Sequence, residues 1–292
     1  MKSNTLKWGY LLVLSLIWGS SFILMKKALL GVSPFQLGAL RSVFTALILF
    51  LAGFNSLKSI DKRAWKWVAL SGIFGSLLPA FLFAVAETEI DSAIASILNS
   101  LVPLQTIVVG ASVFSIKSTK RQYLGVIVGL LGTALLVLEG ADLNPKQNYL
   151  YAGFIVLATV MYAFNVNIIK RYLQHLKPLT IATGNFAVIV LPALLVLVWS
   201  GFFKREVLLK DSVGPALGYI FILSFFGTAL AKVLFNKLIQ LSTPVFASSV
   251  TYVIPVVALI WGALDGESFS WLQAGASLII IFGVFLANKR SK

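Results

Sequence analysis

Residues 92–114 read SAIASILNSLVPLQTIVVGASVF, and residues 244–264 read PVFASSVTYVIPVVALIWGAL. Each is a largely apolar run of the length that crosses the ~30 Å hydrocarbon core of a bilayer as one helix. Each also carries the same interruption: small hydroxyl residues, then a proline, then an apolar stretch reaching a glycine. An offset of 152 residues lays Ala95-Ser96 on Ala247-Ser248, Pro103 on Pro255 and Gly110 on Gly262. Working outward, the same offset lays Gly75 on Gly227 and Phe83 on Phe235. An offset of 144 lays Trp18 on Tyr162, Lys26-Lys27 on Lys170-Arg171 and Pro34 on Pro178. The chain is an internal duplication.

Composition says where such a chain lives. Of 292 residues, 59% are hydrophobic and 12% charged, against about 25% charged in soluble domains. A soluble fold has too little interior to hide that excess; a bilayer takes it. Ten spans are predicted: Trp8–Met25, Pro34–Phe54, Trp65–Ala86, Ser92–Phe114, Gln122–Leu138, Tyr149–Ile169, Pro178–Trp199, Val213–Leu234, Pro244–Leu264 and Trp271–Ala287. The start resembles a signal peptide, with lysines before an apolar run, but it lacks a small-x-small cleavage site. It reads as a retained first helix. Trp8, Trp65, Trp67, Trp199 and Trp271 fall near span ends, where interfacial belts favour tryptophan. Trp18 falls mid-span.

Charge tests the division. Ten spans put the amino terminus, alternate loops and the carboxyl terminus on one side. That side collects 16 of the 24 Lys and Arg residues but only one acid, Asp61. The other side collects 6 basic residues and 9 acids, among them Glu87, Glu267 and Asp265. Positive loops stay in the cytoplasm, so both termini are expected there, in a cell (inner) membrane. Dropping one span would scramble the separation. The net charge of +14 is thereby explained without nucleic acid.

The expected architecture is an all-α integral membrane protein of ten transmembrane helices in two inverted-topology five-helix repeats, residues 8–139 and 149–288. Five spans per half is odd, so equivalent helices run in opposite directions, an arrangement common in transporters. Duplication without alternating access is the plainer alternative.

Trp18-Gly19-Ser20-Ser21-Phe22 in the first span resembles the opening signature of the drug/metabolite transporter superfamily, in its EamA branch. The Pro103 and Pro255 spans resemble that family's fourth and ninth helices. Gly266-Glu267-Ser268, followed by Leu272-Gln273-Ala274-Gly275, resembles its turn into the last helix. The resemblance covers about residues 8–288. It implies ten helices, cytoplasmic termini, a central cavity between the halves, and transport of amino acids, other metabolites or drugs, often outward. Two positions depart from the pattern: Lys117 stands where the first half usually has an acidic turn residue, and Asn185 aligns with Arg41.

The candidate substrate-binding residues come from four spans. Ser92, Ser96, Asn99, Ser100 and Pro103 share one face of the fourth span, and Ser248, Thr251, Tyr252 and Pro255 repeat the pattern in the ninth. Each proline removes a backbone donor and frees a carbonyl. Polar groups at membrane depth either line a wet cavity or bond helix to helix, and both readings stay open. Trp18, Ser21 and Phe22 in the first span, and Tyr162 and Asn165 in the sixth, each lie on one face. An aromatic beside a polar group suits ligand stacking and orientation, but also a core aromatic with a satisfied neighbour.

Arg41 lies about two turns inside the second span. A centred arginine costs about 2.5–3.5 kcal/mol by insertion scales, so pairing with Glu87 is expected; a substrate carboxylate or phosphate is the alternative. Lys232 is expected to snorkel to the cytoplasmic surface. Gly125, Gly129 and Gly132, and Gly72, Gly75 and Ser76, are close-packing positions, expected to serve the monomer, with a homodimer left open.

Absences narrow the function. There is no cysteine, hence no disulfide or thiolate metal site, and the lone His175 sits in a basic loop. No cofactor or metal is expected. No carboxylate lies deep in a span, which disfavours the proton-for-cation exchange of small multidrug exporters within the resembled superfamily. No nucleophile-and-base pair supports an intramembrane enzyme, and no phosphate-binding Gly-Lys-Ser/Thr loop supports direct ATP use. The expected partners are the lipid bilayer and a small-molecule substrate. The expected function is a secondary transporter or facilitator of small polar metabolites such as amino acids, acting as an exporter. A non-transporting structural or assembly subunit is the alternative.

Overall fold

The computed structural model describes residues 2–115, 119–143, 148–267 and 270–288. Lys117, Lys146, Ser268, Lys289, Arg290 and Lys292, on which parts of the charge and turn readings rest, lie outside the described residues. Every regular element among the described residues is helical. The long segments are α1 (Lys2–Leu29), α2 (Pro34–Gly53), α3 (Trp65–Ala86), α4 (Ser92–Ser112) and α5 (Lys120–Leu143). They continue with α6 (Ala152–Tyr172), α7 (Pro178–Trp199), α8 (Val213–Leu241), α9 (Pro244–Leu264) and α10 (Trp271–Asn288). By length and composition, eight helices are long and apolar enough to cross a membrane, namely α1–α4 and α6–α9. α5 and α10 cover the other two expected spans and pack side by side.

Local sequence explains where helices start. Ser33 accepts from the Gln36 backbone N–H at 3.3 Å, while Gln36 Oε1 accepts from the Ser33 N–H at 3.0 Å. Pro34 occupies the first helical position, where no donor is needed. Thr243 caps α9 through its side chain alone, accepting from the Phe246 backbone N–H at 3.2 Å, with Pro244 following it. The exposed faces are apolar: Leu51, Leu191, Leu195, Val198, Phe221 and Phe282 all point outward. The interior instead holds Ser15, Thr45, Thr183, Asn185 and Asn236, each essentially inaccessible. Apolar outside and polar-containing inside is what a bilayer solvent demands.

Four helices are irregular, in two pairs. α3 carries a π-helical stretch at Ile73–Leu77 and α8 one at Phe225–Leu230; the 152-residue offset lays one on the other. α4 breaks at Ser100–Leu101 and resumes at Val102, just ahead of Pro103. α9 breaks over Ser249–Val253 and resumes at Ile254. Prolines explain the breaks: Pro103 and Pro255 cannot donate to the carbonyls four residues earlier. The Thr251 carbonyl, freed by Pro255, accepts from Ser100 Oγ at 2.9 Å, so the two broken helices brace each other. Ser15 of α1 donates to Val250 O at 2.9 Å in the same stretch.

Small residues set the closest approaches. A Cβ on Gly283 of α10 would fall 2.5 Å from the Gly129 backbone nitrogen of α5. Side chains on Gly132 and Gly72 would meet Ile280 and the Asn185 backbone. These glycines are spent on packing within the chain.

One end of the bundle is tied by charge. Lys26 bonds Asp265 and Glu267, each at 2.8 Å, and Lys27 also pairs with Asp265. Glu267 accepts further bonds from the Ser92 and Ala93 backbone N–H groups at 3.3 and 3.2 Å. An acid at the first turn of α4 is favoured by the helix dipole. Glu267 thereby joins the end of α1, the turn after α9 and the start of α4. At the opposite end, Lys170 caps the C-terminal carbonyls of α8, Ile239 O at 3.3 Å and Ser242 O at 2.7 Å, and Trp67 stacks on Tyr172 at 3.7 Å. His175 there bonds Asp61 at 3.1 Å.

Candidate functional site

Eight helices line a cavity of about 110 Å³, and among the described residues no side chain of α5 or α10 lines it. A water needs about 10–15 Å³ by this kind of measure, so the space holds several waters or a small metabolite. Both π-helical stretches face it, through Gly75 and Ser76 on α3 and Gly227 and Thr228 on α8. π turns leave backbone groups out of the regular ladder and gather at functional sites. Here the Gly227 carbonyl accepts from Trp18 Nε1 at 3.0 Å, and the Gly75 carbonyl from Lys232 Nζ at 2.6 Å. Both positions also need to be glycine. A Cβ on Gly227 would sit 2.7 Å from Ser21 Oγ, and one on Gly75 2.5 Å from Asn165 Oδ1.

The lining is assembled in repeat-related pairs. Trp18 packs edge-on against Phe235 at 5.0 Å, and the counterpart Tyr162 packs on Phe83 at 6.1 Å. Ser21 and Asn165 flank the two glycines. Phe22 and Val166, Asn99 and Thr251, and Ser42 and Phe186 are further equivalent pairs in the wall. Asn165 is held by Ser71, whose hydroxyl donates to its Oδ1 at 2.7 Å.

Of the candidate residues, Trp18, Ser21, Phe22, Asn99, Tyr162, Asn165 and Ser248 are brought together in this wall. Ser96, Ser100 and Tyr252 are not. Ser96 is fully buried and donates back to Ala93 O at 2.6 Å. Ser100 spends its hydroxyl on α9. Tyr252 lies in the α9 break, which is 3₁₀-helical over Ser249–Tyr252, and is not among the residues that line the cavity. The polar stripe therefore serves both readings at once: part lines the cavity and part bonds helix to helix. Ser100 leaves the stripe's face because it lies in the break ahead of Pro103, whereas Ser96 shares the regular stretch Ser92–Asn99 with Asn99 and turns its hydroxyl back to Ala93.

Two cations were misplaced by sequence reasoning. Arg41 makes no ion pair with Glu87; its Nε donates to Thr228 Oγ1 at 2.8 Å, across the two halves. Glu87 is buried with neither oxygen hydrogen-bonded. Lys232 does not snorkel; it turns inward to Gly75 and is 5% exposed. Both cations line the cavity. The duplication did carry a signal for the rest of the wall, since Gly75/Gly227 and Phe83/Phe235 are among its matched positions. Among the described residues no group of three His, Asp or Glu could hold a metal ion.

The profile of the EamA-like transporter family matches the chain twice, over residues 7–138 and 150–289. The chain belongs to the EamA-like transporter family. It is a multi-pass membrane transporter. The inner membrane transporter YedA of Escherichia coli is 28% identical over 290 residues, covering 96% of this chain and 90% of that protein. A Salmonella typhimurium protein named "Probable amino-acid metabolite efflux pump" is 25% identical over 289 residues, covering 95% and 93%. One solved crystal structure superposes with a TM-score of 0.66 at 18% identity, over 98% of this chain and 96% of that one. It shares the fold with this EamA-like transporter.

Proposed function

We propose that the chain is a secondary exporter of small polar metabolites, amino acids or their derivatives among them, working by alternating access around the central cavity. Its ten membrane helices form two inverted five-helix repeats, 8–139 and 149–288, in an inner membrane with both termini cytoplasmic. The observation that carries this reading is the paired wall: repeat-equivalent residues from both halves meet at one cavity, each half contributing a π-distorted helix and one ring to each of two aromatic contacts. Substrate sites at a repeat interface, built on broken helices, are the transporter pattern. The name of the Salmonella relative supports an amino-acid-like substrate and the outward direction. Trp18, Ser21, Phe22, Asn99, Tyr162, Asn165 and Ser248 would contact substrate, while Ser96, Ser100 and Tyr252 would support the helices that carry them. The transporter works as a single chain, because its glycine stripes are occupied internally.

The test is uptake of a radiolabelled metabolite panel into liposomes containing the purified protein. Saturable uptake of at least one small polar solute, absent from protein-free vesicles, is expected. Uptake indistinguishable from those vesicles across the panel would defeat the proposal.

A further inference from the structure

Arg41 and Lys232 share the cavity wall, and among the described residues no aspartate or glutamate lines it. Neither cation belongs to an ion pair, the ion pairs among the described residues being those of Lys26, Lys27 and His175. Each bonds only a neutral oxygen, the Thr228 hydroxyl and the Gly75 carbonyl. A guanidinium has five donors and an ammonium three, so both keep donors for the cavity. A buried charge is costly unless paired. The duplicated scaffold does not require either one. The position equivalent to Arg41 is Asn185, which donates to Val68 O at 2.7 Å, and the position equivalent to Lys232 is Ala80. Each half therefore contributes one cation at a place where its counterpart has none.

Two acceptors complete the chemistry. Asn99 Oδ1 and Ser76 Oγ, on residues of the wall, are buried without a hydrogen-bond partner. An acceptor left bare awaits a donor.

We propose that the cavity binds a small organic anion, its carboxylate or phosphate groups held between Arg41 and Lys232 and an amine or hydroxyl donor turned to Asn99 and Ser76. A zwitterion with one carboxylate engages only one of the two cations directly. A dicarboxylate carrying an amine, or a phosphate ester carrying hydroxyls, answers both cations and both acceptors. This inference rests on the transporter reading for its biological sense, but not for its test.

The test is binding, read as thermal stabilisation of the purified protein by two pairs whose members differ in charge: L-glutamate against L-glutamine, and glycerol 3-phosphate against glycerol. At least one anion should bind about 10- to 150-fold more tightly than its neutral partner, the worth of a charged hydrogen bond. The pair that discriminates tells carboxylate from phosphate. Arg41→Gln and Lys232→Gln should each erase most of that preference. Should either variant fail to fold, the wild-type pairs decide alone. No saturable stabilisation by either anion, or equal stabilisation by the neutral partner, overturns the proposal. Anion binding without uptake by liposomes would remove the transport mechanism and leave this site standing. Uptake of neutral solutes without anion preference would do the reverse.

Discussion

Glu267 is the residue whose loss should most clearly change how the cavity opens. Its side chain is 3% exposed and accepts three bonds: from Lys26 Nζ at 2.8 Å and from two backbone N–H groups of α4. Glu267→Gln keeps the shape and removes the charge. Asp265 still holds Lys26 and Lys27, so the tie weakens rather than vanishes. A hydrogen bond to a charged group is worth about 1.5–3 kcal/mol. If this tie closes the Lys26 end of the cavity, the open population should rise about 10- to 150-fold, toward the lower figure because Asp265 remains. The chain has no cysteine, so Ser248→Cys supplies a single target in the wall. An impermeant thiol reagent added on the Lys26 side should label that cysteine about tenfold or more faster in the Glu267→Gln background. An unchanged labelling rate, with an unchanged melting temperature, would show that the contact closes nothing.

The same assay gives a pH expectation. Hydrogen bonds from Lys26 and Lys27 hold the Asp265 carboxyl below the usual carboxylate range, so its contribution is complete above the ordinary aspartate value near ~3.9 and fades as pH falls through the depressed one. Labelling governed by Asp265 should therefore stay flat across neutral and mildly acidic pH; acceleration between pH 7 and 5 would contradict it. Cysteines at Asn99 and Ser248 should react with small water-soluble reagents and those at Ser96 and Ser100 should not, and equal reactivity at all four would dissolve the distinction. Gly283→Leu should lower the melting temperature by forcing α10 off the Gly129 backbone, at about 1–3 kcal/mol or more; an unshifted melt would mean that α5 and α10 are not closely packed. In intact cells, a cysteine at Lys204 should be labelled by an impermeant reagent and one at Lys62 should not, and the reverse pattern would invert the topology.

Much of this was legible in the sequence, because the deciding signals are local or periodic. Apolar runs bounded by Pro34, Pro178 and Pro244 mark helix starts, and Pro103 and Pro255 mark breaks, since a missing N–H acts wherever the residue sits. The offset that matched Gly75 to Gly227 anticipated a shared position, though not that both would lie in π turns; that depends on which side chain, Lys232 or Trp18, reaches the freed carbonyl. What stayed hidden depends on side-chain direction across the chain. Arg41 meets Thr228, 187 residues away, and Lys26 meets Glu267, 241 residues away. No window of sequence contains either pair. Depth alone predicts that Lys232 snorkels to the surface, but depth fixes neither the helix face nor the rotamer. Ser100 misleads for a similar reason: a single helical wheel assumes an unbroken helix, and α4 turns at Ser100.

The central claim is that this cavity is the substrate path. The direct measurement uses the Ser248→Cys protein in liposomes with a solute already shown to be taken up. Uptake is compared before and after stoichiometric reaction with a bulky maleimide, and with excess solute present during labelling. The account predicts that modification abolishes uptake and that bound solute slows the reaction. Full uptake by completely modified protein would contradict it.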